Sequence, residues 1–371
     1  MIRKTLLPFL LLTASLHAIP IFIGTNTGGK SESKGIYSAD FDPATGKLTE
    51  PTLAGEYKNP GFLAQHPKKP IIYACGQPTT PFADGMDSVA AFEIGAKGAL
   101  KFLGEASTGG KGACHVAVDA TGKTVAVANY GDGTFSTIRL DEKGVPGEIA
   151  SHIANTGSGP NPQRQKGPHA HGVYFDPDNE RLLMPDLGLD KVFVYPFDAK
   201  TSKLGEPLPP FGTAPGAGPR HLTFSPNGRH VYVINELNNM ITVAGYDRGQ
   251  IVVSDNYPTL PADYTEQSTT AEVEVHPSGK FLYGSNRGHD SIAVYKVDMD
   301  TGNLSALQNA PCGGKIPRHF KIDPSGKWLL CAHQDSNSIS VLSLDPETGK
   351  LGEPQNTVNV PSPICILFAR P

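Results

Sequence analysis

A repeat of roughly 50 residues, about four short strands in each copy, and chain ends that resemble two halves of one further copy predict an all-β fold, a seven-bladed β-propeller of four-stranded blades. Composition agrees. Gly (41) and Pro (33) together fill a fifth of the 371 residues, which is too much turn chemistry for a helical bundle. The share stays below the ~25–30% at which unpatterned Gly and Pro suggest a low-complexity chain. The hydrophobic 38% is ample for a core. The 32 Lys and Arg against 36 Asp and Glu lack the basic surplus of a nucleic-acid binder, so nucleic acid is not an expected partner.

The repeat is clearest toward the carboxyl end. Ala271-Glu-Val-Glu-Val-His-Pro-Ser-Gly-Lys280 leads to Phe281-Leu-Tyr-Gly-Ser-Asn286, then Ser291-Ile-Ala-Val-Tyr-Lys-Val-Asp298 and the turn Thr301-Gly302. Pro317-Arg-His-Phe-Lys-Ile-Asp-Pro-Ser-Gly-Lys327 leads likewise to Trp328-Leu-Leu-Cys331, Ser338-Ile-Ser-Val-Leu-Ser-Leu-Asp345 and Thr348-Gly349. In this register the end of the first strand falls at Pro67, Ala120, Pro177, Pro226, Pro277 and Pro324, with separations of 53, 57, 49, 51 and 47. No segment shows apolar residues at helical spacing.

The ends supply the seventh blade. Pro361-Ser-Pro-Ile-Cys-Ile-Leu-Phe-Ala-Arg-Pro371 has the pattern of a first strand, and Pro371 follows Pro324 by 47 residues. Pro20-Ile-Phe-Ile-Gly-Thr-Asn26 has that of a second strand, followed by Gly35-Ile-Tyr-Ser-Ala-Asp-Phe-Asp42 as the third. Closing a ring this way leaves no long free edge. Residues 1–18 read separately, as a secretory leader: Arg3 and Lys4, an apolar run from Leu6 to Leu12, and a cut after Ala18. Residues 19–371 are then a single propeller domain, expected to be exported, free of the membrane and monomeric. The five cysteines (Cys75, Cys114, Cys312, Cys331, Cys365) are scattered, odd in number and without metal-ligand spacing, so they read as small buried hydrophobes and not as a disulfide framework.

In such a ring every first-strand start and every loop between second and third strands lies at one mouth of the central channel. Those positions hold His115, His169, His171, His221, His289, His319 and His333, seven of the twelve histidines, together with Arg220, Glu236, Arg287, Arg318 and Gln334. Arginine offers a fork for carboxylate or phosphate and histidine titrates near neutral pH, so the set suits an anionic ligand and proton transfer. His169 and His171 could give a metal two nitrogens, but no third ligand follows at a compelling spacing and the arginines oppose a cation; no metal is expected. Two insertions, 155–167 and 258–270, read as channel lids carrying Arg164, Gln165, Tyr264 and Glu266.

Several consecutive motifs are similar to those of the seven-bladed propeller lactonases, a family that includes 6-phosphogluconolactonases and the fungal carboxy-cis,cis-muconate cyclase. They are Arg164-Gln-Lys-Gly-Pro-His-Ala-His171, Pro185-Asp-Leu-Gly-Leu-Asp190, Gly218-Pro-Arg-His221 with Asn235-Glu236, Asn286-Arg-Gly-His-Asp-Ser-Ile292, and Pro317-Arg-His-Phe320 with Gln334-Asp-Ser-Asn337. The resemblance spans essentially the whole mature chain. It implies a cofactor-free site at the channel mouth with His171, Arg220, Glu236 and Arg287 as catalytic residues and Arg164, His169, His221, Arg318, His319 and Gln334 around the substrate. The expected activity is hydrolysis of a sugar-type lactone, with Glu236 or His171 as general base. A muconate-type cycloisomerase using the same arginines on carboxylates, and an exported binding or scaffold propeller, are the alternatives.

Overall fold

The structure, a computed structural model, describes residues 18–83 and 85–370. The leader pattern, apart from Ala18, and the terminal Pro371 lie outside them. Among the described residues the chain forms seven antiparallel sheets and a single 3₁₀ turn at Ala96–Gly98. Consecutive blades touch through their innermost strands, or in blade 4 through the second strand against the first of blade 5, and the last blade touches the first, which makes the sheets blades of a closed ring.

Blade 1 joins the two ends of the chain. Its innermost strand, Pro363–Phe368, pairs with Ile19–Thr25, which pairs with Gly35–Asp42 and then Thr52–Glu56. The register Ile21↔Phe368, Phe22↔Leu367, Ile23↔Ile366 and Gly24↔Cys365 closes the ring. Blades 2 to 7 begin with Lys58–Gln65, Ala113–Val118, Tyr174–Phe175, Pro219–Phe224, Thr269–Val275 and Pro317–Ile322, and each continues outward in chain order.

Position in the blade explains the strand sequences. Second strands are covered on both faces by neighbouring blades, so Thr124–Asn129 and His230–Asn235 are buried throughout, while the outermost Gln250–Pro258 is almost wholly exposed. Apolar packing therefore lies between adjacent blades and not on the ring axis. One cluster, for example, joins Phe281, Tyr283 and Val294 of blade 6 to Phe320, Leu329 and Leu342 of blade 7.

The repeated turns are part of this packing. Asp323 accepts hydrogen bonds from the backbone N–H groups of Ser325, Lys327 and Trp328, which closes the Pro-Ser-Gly turn onto the start of the second strand. The Thr-Gly glycine serves the blade-to-blade contact. At Gly349 (φ 73°) a Cβ would sit 2.3 Å from Phe281 of the preceding blade, and at Gly302 (φ 77°) 2.5 Å from His230. Only glycine combines the left-handed backbone with that approach.

All five cysteines are free, four of them buried and Cys114 half-buried. No helix among the described residues is long and apolar enough to cross a membrane.

Candidate active site

At the mouth end of the inner strands the pairing slips. Pro219 and His221 face consecutive residues, Asn235 and Ile234, so Arg220 is an extra residue between them. Arg318, Cys114 and Ile364 are extra in the same way in blades 7, 3 and 1. Larger slips set aside Asn59–Gly61 in blade 2 and Ala271–Glu272 in blade 6. In blade 4 the ladder breaks, and a lone bridge between Ala170 and Asp186 precedes Tyr174. A bulge re-aims the side chain it carries. Here Asn59, Cys114, Arg220, Arg318 and Ile364 all line one cavity of ≈360 Å³, together with His171, His221, Phe62 and Gln334.

The electrostatic centre beside this cavity is Glu236, 3% exposed, directly after the second strand of blade 5. One carboxylate oxygen takes Arg164 at 2.5 Å; the other takes Arg287 at 2.9 Å and Arg220 at 3.1 Å, with His171 Nε2 at 3.9 Å. Burial by itself would raise this carboxyl, but the guanidiniums of Arg287, Arg220 and Arg164 outweigh it and hold Glu236 well below the usual carboxylate range. With Arg318 added, four guanidiniums face one carboxylate. Burial, reinforced by Arg220 and Arg287, pulls Arg318 down to about 10, so it stays charged at neutral pH.

The segment carrying His169 and His171 is fixed by backbone contacts. Asp186 accepts from the His169 and Gly188 N–H groups at 2.8 and 3.0 Å. At Gly188 a Cβ would lie 1.9 Å from the Gly167 carbonyl oxygen, so a side chain there would force the segment away. His169 stacks on Tyr130, rings 4.5 Å apart, and its Nδ1–H donates to the Tyr130 carbonyl at 2.7 Å. The Tyr130 hydroxyl in turn accepts from Arg164 at 3.1 Å. His171 lies deeper, 5% exposed, with its Nδ1 buried and unpartnered. Burial, then Arg220, pushes its pKa well below 6.5, so it is a neutral imidazole at pH 7.

Below the cavity the channel is blocked. Phe62 packs against the rings of His115 (4.1 Å), His319 (5.5 Å) and His221 (5.7 Å). Glu272 Oε2 lies 2.9 Å from His221 Nδ1 and 3.5 Å from His319 Nε2. A larger cavity, ≈460 Å³, lies beyond this floor, but its Glu272 and Glu274 outnumber Lys321, which is already paired to Glu274 at 2.7 Å. The excess of positive charge lies on the arginine side of the floor.

Of the residues expected around a substrate, Arg164, His171, Arg220, Glu236 and Arg287 converge, Arg318, His221 and Gln334 line the cavity, and His169 flanks it through Tyr130. His319 and His115 do not sit on the rim, because strand alternation turns them into the floor and the cavity beneath. His333 turns away into the blade, fully buried, with Nε2 bonded to Ser340 Oγ. The first insertion is not an open lid: Gln165, 0% exposed, is anchored by Leu187 O and Asp190 Oδ1. In the second, Tyr264 packs on His289 and Glu266 points to solvent.

Residues 20–368 match the family described as "Lactonase, 7-bladed beta-propeller". The chain belongs to the seven-bladed propeller lactonases. The 6-phosphogluconolactonase of Bacillus subtilis is 35% identical over 351 residues, 94% of this chain and 97% of its own. A 6-phosphogluconolactonase of Formosa agariphila is 33% identical over 307 residues, 81% of this chain and 86% of its own. Among solved structures, the periplasmic gluconolactonase of Pseudomonas aeruginosa superposes with a TM-score of 0.88 at 27% identity, covering 95% of this chain and 99% of that one.

The cavity of this propeller is also lined by residues that a search for charge and histidine passes over. Asn26, Asn59, Phe62 and Ile364 come from blades 1 and 2, whose first strands start without His or Arg. Tyr130 stands in a rim loop, and its aromatic ring at that position was the available signal.

Glu236→Gln should destabilise the protein by about 3–5 kcal/mol, because it leaves three guanidiniums around a buried neutral amide. The check is the urea midpoint, with sulfate expected to restore part of the loss; a midpoint equal to the wild type would show that the carboxylate does not balance the cluster.

Proposed function

We propose that the protein hydrolyses a sugar-type lactone bearing a phosphate or carboxylate group, at the mouth of the channel. The reading is carried by Arg318: it lines the ≈360 Å³ cavity, and among the described residues no ion pair includes it, whereas Arg164, Arg220 and Arg287 are committed to Glu236. Arg318 takes the anionic group. Arg220 donates through Nε to Glu236 and through Nη1 to Ala271 O, which leaves Nη2 to polarise the ring carbonyl.

His171 is the general base and Glu236 its orienting partner. Both Glu236 oxygens are engaged by guanidiniums, and its depressed pKa makes it a poor proton acceptor. His171 faces the same carboxylate through Nε2 and lines the cavity, with burial and Arg220 holding its imidazole neutral. The His171 imidazole takes a proton from a water in the cavity as the oxygen attacks the lactone carbonyl carbon; the acyl C–O bond then breaks and the ring oxygen recovers the proton from the imidazolium, which Glu236 stabilises.

In an indicator assay the protein should turn over a phosphorylated sugar lactone with a higher kcat/KM than its neutral counterpart. Arg318→Ala should remove that preference while sparing the neutral lactone. Equal loss on both, or no turnover of either by the wild type, would refute the assignment.

His171→Gln should lower kcat by about 10²–10⁴-fold. Because the His171 pKa is depressed, the basic form persists as pH falls through 6.5, so kcat/KM should stay flat there and decline only well below it. A decline centred at or above 6.5 would exclude His171 as the base.

We also infer export, from the leader pattern of residues 1–18 and from the likeness to a periplasmic gluconolactonase. Amino-terminal sequencing of the protein from the exported fraction should begin at Ile19; retention of Met1 would overturn this.

A further inference from the structure

We infer that Cys312, Cys331 and His333 form a buried site for a thiophilic d¹⁰ cation, Zn(II) or Cu(I), between blades 6 and 7. Spacing along the chain gave no hint of it, since Cys312 follows the outermost strand of blade 6 while Cys331 and His333 lie in the second strand of blade 7. The fold brings one donor atom from each residue within 4.8 Å of the others, and all three side chains are buried. His333 Nδ1 lies 3.8 Å from Cys312 Sγ and 4.0 Å from Cys331 Sγ. Bonds of about 2.3 Å to sulfur and 2.0–2.1 Å to nitrogen separate S and N ligands by roughly 3.6–3.8 Å across one metal, so a small contraction completes the triangle.

The hydrogen bonds around His333 prepare it as a ligand. Ser340 Oγ–H donates to the Cys312 carbonyl at 2.6 Å, so the same hydroxyl must accept from His333 Nε2–H at 2.9 Å. That places the proton on Nε2 and aims the Nδ1 lone pair at the two sulfurs. A metal-bound histidine characteristically has its second ring nitrogen held by such an outer partner. Two sulfurs and one imidazole are a soft donor set, which selects Zn(II) or Cu(I) over Mg(II) or Ca(II). Charge balance also fits an apolar surrounding that includes Phe320, Tyr283 and Ile292. Zn(II) expels both thiol protons and Cu(I) expels one, and either leaves a neutral site.

The test is direct metal uptake. Reduced, chelator-treated protein is incubated with Zn(II) alone or Cu(I) alone, desalted and assayed for metal, with Co(II) as an optical probe of thiolate ligation. The expected result is one equivalent of Zn(II) or Cu(I) per chain, thiolate-to-cobalt charge-transfer absorption, and loss of both in Cys312→Ser and Cys331→Ser. If a variant does not fold, the wild type decides the matter, because stoichiometric uptake without the thiolate band would place the metal elsewhere. Failure to bind either ion stoichiometrically, undiminished uptake by the folded variants, or a Cys312–Cys331 disulfide in the protein as isolated would each overturn the inference. Uptake is independent of lactone turnover, so neither result bears on the hydrolytic reading.

Discussion

Ring closure is the constraint on which the rest depends. The antiparallel pairing of Ile21–Thr25 with the last strand, Pro363–Phe368, joins the two ends of the chain in one blade and brings all seven inner strands around a single axis. Arg164, Arg220, Glu236 and Arg287 come from three different parts of the chain, and their approach within 2.5–3.1 Å requires blades 4, 5 and 6 to be held edge to edge. An open stack of blades would expose the apolar faces that now pack between neighbours and would leave sheet edges unprotected. Smaller contacts reinforce the closure, among them Trp328 Nε1–H donating to Pro43 O and the backbone pairing of Arg370 with the Gln65 side chain.

Closure alone would produce a symmetric tube. The bulges make it a site, because strict alternation along an inner strand sends successive side chains to opposite faces, and one inserted residue breaks that rule at the mouth. Arg220, Arg318, Cys114 and Ile364 occupy equivalent bulged positions in four blades, yet they differ in chemistry. The repeat thus supplies a fixed set of addresses, and each blade fills its own. Residues just past the bulge, His115, His221 and His319, return to the regular alternation and become the floor around Phe62.

Charge then decides what the site accepts. A buried carboxylate among guanidiniums fixes their geometry without neutralising them, and the excess positive charge in a half-enclosed cavity is what a phosphate or carboxylate would offset. The same field, together with burial, keeps His171 neutral. In the proposed reaction one arrangement would supply both an anion clamp and a base unprotonated at neutral pH, while the carboxylates Glu272 and Glu274 remain beyond the floor.

The sequence by itself determined the seven blades, their closure through the chain ends and the identity of the main charged residues, because each of these is written in short-range patterns. Strand alternation, Pro-Ser-Gly and Thr-Gly turns, and motifs such as Gly218-Pro-Arg-His221 all lie within a few neighbouring residues. Only the tertiary structure decided which side chains meet. It turned His319 and His115 into the floor, sent His333 into the blade, made Gln165 an anchor in place of a lid residue, and brought Cys312 beside Cys331 and His333. These outcomes depend on a one-residue slip in register or on contact between blades. Neither leaves a periodic trace in the chain, since a bulge reads as an ordinary strand residue and an interblade contact joins residues with no fixed separation.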